Sequence, residues 1–191
     1  MKKLLCRMVV FVVAAAVCVA GARWVNQKFL RAIYPLEYED IVEKYATEYG
    51  LQASLVYGVI QTESHFKPDA QSPVGAKGLM QLMDATYEWV QTRIAGDPEP
   101  AERVFDPEVN IRCGCKVLQI VLKEFEVTET ALAAYNAGSG NVSKWLKNTE
   151  YSDDGVTLKY IPVEETRNYV KRVLKAQKMY QTIYGIDKED V

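Results

Sequence analysis

The sequence predicts a mainly α-helical domain behind a short hydrophobic N-terminal segment. Three observations carry that expectation. Beyond residue 36, apolar side chains recur at three- and four-residue steps almost throughout, no strand-like alternation runs longer than about four residues, and capping residues stand at the ends of the periodic stretches. With 191 residues, 49% of them hydrophobic and 25% charged, the chain holds one globular domain of ordinary size plus an appendage. It is too short for two full domains, and apolar enough to close a core without disulfide staples.

The appendage comes first. Lys2, Lys3 and Arg7 precede an unbroken apolar run from Met8 to Ala22, the layout of an export signal. The run sits at the lower limit of a bilayer span, and Ala20-Gly21-Ala22 also reads as a cleavage site, so a retained signal-anchor is expected, with cleavage and release as the alternative. Cys18 follows Ala15-Ala16-Val17 and lacks the small residue that a lipidated cysteine needs just before it. Residues 1–35 are therefore assigned to a signal or anchor and a basic linker, and 36–191 to the domain.

In the domain, Ile41, Val42, Tyr45, Ala46 and Tyr49 form the first apolar face, with Gly50 as its stop. Leu55, Val56, Val59 and Ile60 form the second, which runs to Glu63 before Pro68, Pro73 and Gly75 mark a loop. Asp84 opens a third helix to about Ile94, and Gly96, Pro98 and Pro100 then break the chain. Asp106 before Pro107 is a helix start with a carboxylate cap and proline in the first turn, followed by the stripe Val109, Cys113, Val117, Ile120 and Val121. A short helix from Thr128 carries Ala131 to Tyr135 and is closed by Gly138 and Gly140; another covers Val142 to Leu146. Asp153, Asp154 and Gly155 form a turn, and the last helix runs from about Val163 to near Gly185.

Composition excludes several functions. The six bases of the first 36 residues meet no acid, because the first acid is Glu37, which leaves the remainder at net −8. Nonspecific nucleic-acid binding depends on neutralising phosphates, so a nucleic-acid partner is not expected. Only Cys113 and Cys115 lie in the domain, two apart on a helix and facing different ways, so two small buried side chains are expected rather than a disulfide. With one histidine, His65, and no second cysteine pair, a metal site lacks ligands, and no cofactor is expected.

Four short segments carry chemistry. Glu63 ends an apolar helix, where apolar neighbours and the negative end of the helix dipole both raise a carboxyl pKa. An acid kept protonated near neutrality can give its proton to a glycosidic oxygen. In Gly75-Ala76-Lys77-Gly78-Leu79-Met80-Gln81, two glycines let the backbone pass close to a ligand while Gln81 brings a donor and an acceptor; Leu79 and Met80 are expected in the core. Ala134-Tyr135-Asn136 stands just before a tight turn. Glu165 and Tyr169 lie four apart on one helix face.

In that order and spacing, the segments resemble the catalytic domain of the soluble lytic transglycosylase family, which shares the lysozyme-like fold and cleaves bacterial cell-wall glycan. The family's E-S motif matches Glu63 and Ser64, G-x-x-G-L-M-Q matches Gly75 to Gln81, A-Y-N matches Ala134 to Asn136, and E-T-x-x-Y matches Glu165 to Tyr169. The match covers roughly Leu36 to Tyr184. Val163-Glu164 replaces the usual aromatic before the last motif's Glu, a departure that bears on sugar contacts and not on the catalytic position.

The resemblance implies a lysozyme-like helical domain with a substrate groove, and Glu63 as the catalytic acid and then base on the β-1,4 bond between N-acetylmuramic acid and N-acetylglucosamine, leaving a 1,6-anhydromuramyl end. It implies substrate contacts from Ser64, Gln81, Met83, Tyr135, Asn136, Glu165 and Tyr169, with the Tyr135 and Tyr169 hydroxyls near Glu63. The expected partners are peptidoglycan glycan strands and the bacterial membrane, the expected state a monomer on the outer face of the cytoplasmic membrane. Two alternatives stand beside this. A muramidase of similar fold would use water and a second acid, for which Asp69 and Glu165 are the candidates; a wall-binding scaffold would keep the groove without turnover.

Overall fold

The computed structural model describes residues 2–187. The chain divides into two units, residues 1–36 and 37–191. In the first unit, helix α1 (Lys2–Ile33) runs without a break, and the Lys28 ammonium sits 4.1 Å from the centre of the Trp24 ring. Among the described residues no helix is long and apolar enough to cross a membrane. The side chains of Lys2, Lys3, Arg7 and much of the apolar run after them lie outside the described residues.

The second unit is helical, in the order α2 (Glu39–Tyr49), α3 (Ala53–Glu63), α4 (Asp84–Gln91), a 3₁₀ turn (Ala101–Phe105), α5 (Pro107–Phe125), α6 (Thr128–Ala137), α7 (Ser139–Leu146) and α8 (Glu164–Tyr184). Among the described residues there is no strand, only two isolated antiparallel bridges, Gln71 with Lys77 and Lys77 with Leu82. The mainly α expectation holds.

Helices α3 and α8 form the main packed pair. They run antiparallel: Ser54 near the start of α3 meets Gln181, whose Nε2 donates to its hydroxyl at 3.3 Å, and Asp187 beyond α8 accepts the Ser54 N–H at 2.7 Å. That carboxylate satisfies one of the free donors of the first turn, a cap supplied from the far end of the sequence. Midway, Gly58 lies against the α8 backbone so closely that a Cβ there would stand 2.9 Å from the Val173 carbonyl oxygen. The approach of the helix axes thus depends on a missing side chain. At the other end the pairing brings Glu63 beside Tyr169.

Helix α5 packs against α2, α4 and α6. It starts where the sequence places it, the Asp106 side chain accepting the Val109 N–H at 3.1 Å with Pro107 in the first turn. Cys113 and Cys115 are both fully buried on it. Burial pushes the Cys113 thiol up to about 11 and raises Cys115 as well, so neither is a ready nucleophile.

Three local differences have physical causes. Helix α4 ends at Gln91 rather than near Ile94, because the N–H groups of Thr92, Arg93 and Ile94 reach back three residues instead of four, and the Thr92 hydroxyl takes the Trp89 carbonyl at 2.7 Å. The 3₁₀ turn at Ala101–Phe105 was not foreseen; it buries Val104 against α4 and α5, and Tyr87 fastens its start by donating to the Pro100 carbonyl at 3.1 Å. Helix α7 opens at Ser139 instead of Val142, so that Gly138 alone separates it from α6.

Candidate active site

Glu63 is the last residue of α3 and is half-buried in the lining of a cleft of about 250 Å³. Gln81, Met83, Tyr135, Asn136 and Glu165 line the same cleft. Six of the eight residues singled out from the sequence therefore come together from four parts of the chain. Burial pushes the Glu63 carboxyl up to about 7; contact with the Tyr169 hydroxyl and the positive charge of Arg172 act against that rise without cancelling it. Near neutrality such a group is divided between acid and carboxylate, the condition for giving a proton and taking one back.

The remaining two residues are buried and do not line the cleft. Tyr169 is 2% exposed, and its hydroxyl lies within reach of the Glu63 carboxyl without a fully formed hydrogen bond to any described residue. Burial and the neighbouring Glu63 charge raise its own pKa. Ser64 is buried, and its hydroxyl donates back to the Ile60 carbonyl at 3.2 Å, which closes the last turn of α3. His65 is exposed in a left-handed conformation and shares a hydrogen bond with the Gln61 amide at 3.1 Å.

The loop between α3 and α4 forms a further part of the cleft lining. Lys77 and Leu82 exchange backbone hydrogen bonds at 3.0 and 2.9 Å, and the Gly78 N–H donates to the Ala70 carbonyl at 2.8 Å. Gly78 has φ +77°, and a Cβ there would lie 2.2 Å from Asn110 Nδ2, so both conformation and space demand glycine. Gln81 has φ +49°, and its Nε2 donates to the Ala70 and Gly78 carbonyls at 3.1 and 2.8 Å. With both amide hydrogens used, the Gln81 side chain, which lines the cleft, keeps only its Oε1 acceptor to offer. Leu79 and Met80 are fully buried as expected, while Met83 is 43% exposed on the cleft wall.

Sequence reasoning missed the residue that holds this loop. Asn110, fully buried on α5, accepts the Met80 N–H at 2.8 Å and donates to the carbonyls of Lys77 at 3.1 Å and Val104 at 2.7 Å. A single amide thus satisfies three backbone groups and ties the loop and the 3₁₀ turn to the central helix. An amide beside Val109 and Ile111 in an apolar helix was the available signal, because a buried polar side chain demands partners. Two cations within these motif segments are engaged locally: Lys77 pairs with Asp84 at 2.7 Å, and Arg167 donates to the Ile161 carbonyl at 2.7 Å while stacking 5.0 Å from the Tyr160 ring centre.

Among the described residues no group of three or more His, Cys, Asp or Glu side chains is placed to hold a metal ion. The cleft offers one carboxyl tuned for proton transfer, a second carboxyl in Glu165, and amide and hydroxyl groups around them.

The family model described as Transglycosylase SLT domain matches residues 40–156. The soluble lytic murein transglycosylase of Escherichia coli (strain K12) is 37% identical over 171 residues, covering 87% of this chain and 26% of that protein. The membrane-bound lytic murein transglycosylase C of Histophilus somni (strain 2336) is 30% identical over 184 residues, covering 83% of this chain and 50% of that protein. Among solved structures, the 70 kDa soluble lytic transglycosylase of Escherichia coli superposes with a TM-score of 0.72 at 33% identity, over 88% of this chain and 27% of that one. An inactive mutant of the lytic transglycosylase from Pseudomonas aeruginosa gives 0.70 at 35% identity, over 78% and 24%. The chain spans about a quarter of the length of the soluble relatives it matches.

Proposed function

The chain belongs to the transglycosylase SLT domain family, and on that footing we propose that it is a peptidoglycan lytic transglycosylase whose single acid-base residue is Glu63. The observation that carries this reading is the Glu63 carboxyl in the cleft lining, raised to about 7 by burial.

As the acid, Glu63 gives its proton to the β-1,4 oxygen between N-acetylmuramic acid and N-acetylglucosamine as that bond breaks. The carboxylate left behind then takes the proton of the muramyl six-position hydroxyl, whose oxygen bonds to the anomeric carbon. Atoms balance without water, and the product ends in 1,6-anhydromuramic acid. The substrate's acetamido group can stabilise the positive charge that develops at the anomeric carbon, so no second carboxylate is needed. Tyr169 supports Glu63 from behind, and Gln81, Met83, Tyr135, Asn136 and Glu165 form the walls that hold the glycan. Ser64 serves by ending α3 where it does.

Mass analysis of the products released from purified peptidoglycan by the full chain in detergent tests the reading. Muropeptides one water lighter than hydrolysis products are expected; reducing-end products alone would transfer the assignment to a muramidase using Glu165, the other carboxyl on the cleft wall. Binding without release of any product would leave the scaffold reading.

The same proposal covers location. Residues 1–35 act as the export and anchoring segment and 36–191 as a monomeric catalytic unit on the outer face of the cytoplasmic membrane. The support is the Lys2, Lys3, Arg7 cluster before the apolar run, and α1 as one uninterrupted helix. Retention in the membrane pellet after an alkaline wash is expected, and release into the soluble fraction would favour cleavage.

A further inference from the structure

We propose that Thr166 is a positioning residue for the cleft: by donating to Asn136 Oδ1 it turns the Asn136 amide so that its Nδ2 hydrogens, and not its carbonyl, face the glycan. The inference rests on the glycan-cleaving reading above and assigns polarity to one wall of that site.

Thr166 lies in the first turn of α8, next to Glu165, and is 2% exposed. Its hydroxyl oxygen stands 2.8 Å from Asn136 Oδ1, across the contact between α6 and α8. This is the only hydrogen bond its side chain makes among the described residues. A hydroxyl has one proton to place. Were the Asn136 amide turned over, its nitrogen would donate to Thr166 Oγ1 and the hydroxyl proton would lose the acceptor it has at 2.8 Å. A buried donor is costly to strip of its partner, which favours the observed orientation.

Asn136 itself is exposed and lines the cleft. One edge of its amide is therefore fixed from behind while the other stays open to a ligand, and what the open edge offers is decided by a residue that is not in the cleft lining. Gln81 in the same lining is fixed in the contrary sense, since it spends its amide hydrogens on Ala70 and Gly78 and keeps an acceptor. A glycan atom that meets Asn136 must accept, as a carbonyl, hydroxyl or ether oxygen does; one that meets Gln81 must bring a hydrogen. Serine at position 166 preserves the donor, whereas valine keeps nearly the same shape and removes it.

The test uses the full chain in detergent, purified peptidoglycan over a range of concentrations, and the variants Thr166→Val, Thr166→Ser, Asn136→Ala and the double variant Thr166→Val with Asn136→Ala, each normalised to folded protein by its denaturation curve. Thr166→Val is expected to raise KM about three- to tenfold with kcat within about twofold, the size of one hydrogen bond lost from binding. Thr166→Ser should return KM to within about twofold of the parent chain, and the double variant should be no worse than Asn136→Ala, because what Thr166 contributes passes through Asn136. If valine fails to fold, Thr166→Ala carries the same expectation. An unchanged KM in the hydroxyl-free variant, or a double variant that loses as much again as Thr166→Val loses alone, overturns the inference while the parent chain's activity stands. A parent chain that releases no product overturns the glycan-cleaving reading first, and this inference with it.

Discussion

The hydroxyl of Tyr135 on α6 donates to the main-chain carbonyl of Met80 across 2.9 Å, and so joins a residue of the cleft wall to the loop between α3 and α4. Met80 is at the same time held through its N–H by Asn110. These two parts of the cleft lining thus belong to one hydrogen-bonded unit. For that reason the two tyrosines expected near Glu63 should behave differently on substitution.

Tyr135→Phe should lower stability by about 1 kcal/mol, or roughly 2 to 4 °C in Tm, because the Met80 carbonyl loses its partner in a partly buried place. Tyr169→Phe removes a hydroxyl with no fully formed bond, so Tm should hardly move, while wall cleavage falls about tenfold as the Glu63 carboxyl loses its neighbour. Thermal denaturation and initial lysis rates, taken side by side, separate the two. Equal loss of stability in both would show that Tyr169 is a core residue and nothing more.

Glu63→Gln should keep the fold and abolish wall cleavage, with a rate loss of roughly 10² to 10⁴ for each proton transfer that the amide cannot make. In the parent chain, kcat/KM should fall as pH rises through about 7, because the acid form is the one that protonates the leaving oxygen. Turbidity loss of a peptidoglycan suspension between pH 5 and 9 reads both. More than about a tenth of parental activity in the variant would point to a different acid.

The same residue should leave a signature in stability. Its folded pKa, about 7, lies above the ordinary carboxyl value of 4.5, so between those values the folded state binds more protons than the unfolded one, and stability falls as pH rises through that window. The penalty, up to about 3 kcal/mol, is complete above pH 7 and absent below pH 4. Glu63→Gln removes it. The Tm of the variant should therefore match the parent at pH 4 and exceed it by several degrees at pH 8, and a constant difference across that range would contradict the assignment of the shift to burial.

Asn110→Leu should be among the costliest substitutions in the domain, since it strips partners from Met80 N–H and from the Lys77 and Val104 carbonyls at once. A loss of about 2 to 4 kcal/mol is expected. Amide hydrogen exchange should quicken first in residues 70–82, before global unfolding, because the clip is the loop's tie to α5. Uniform loss of protection over all helices would show that Asn110 serves the core as a whole.

Treatment with a chelator should leave wall cleavage unchanged, because the proposed chemistry moves protons between one carboxyl and the substrate's own hydroxyl. Activity lost to the chelator and restored by a divalent ion, with Tm unaltered, would contradict that account.

Much of this protein was legible in one dimension because the deciding interactions are local. Asp106 and Pro107 specify the start of α5 through a bond only three residues long, and the apolar steps at Val42, Tyr45, Ala46 and Tyr49 specify the buried face of α2. Glu63 stood out for the same reason, an acid at the end of an apolar helix, and the four spaced motifs pointed to the family. Local rules also failed locally: the stop of α4 was misplaced because an i, i+3 ladder competes with the helical one at little cost in energy.

What the sequence could not determine is which way each polar group turns. Gln81 reads as a donor and an acceptor, and folding consumes the donors. The resemblance implies a substrate contact for Ser64, and its hydroxyl turns back to Ile60. Asn110 reaches Lys77 over 33 residues, and Thr166 reaches Asn136 over 30. Hydrogen bonds act over about 3 Å and depend on angle, so a partner separated by thirty residues exists only after α3, α5, α6 and α8 have packed. Helical periodicity and the identity of the acid were properties of the chain; the direction in which the cleft donates and accepts is a property of the packed helices alone.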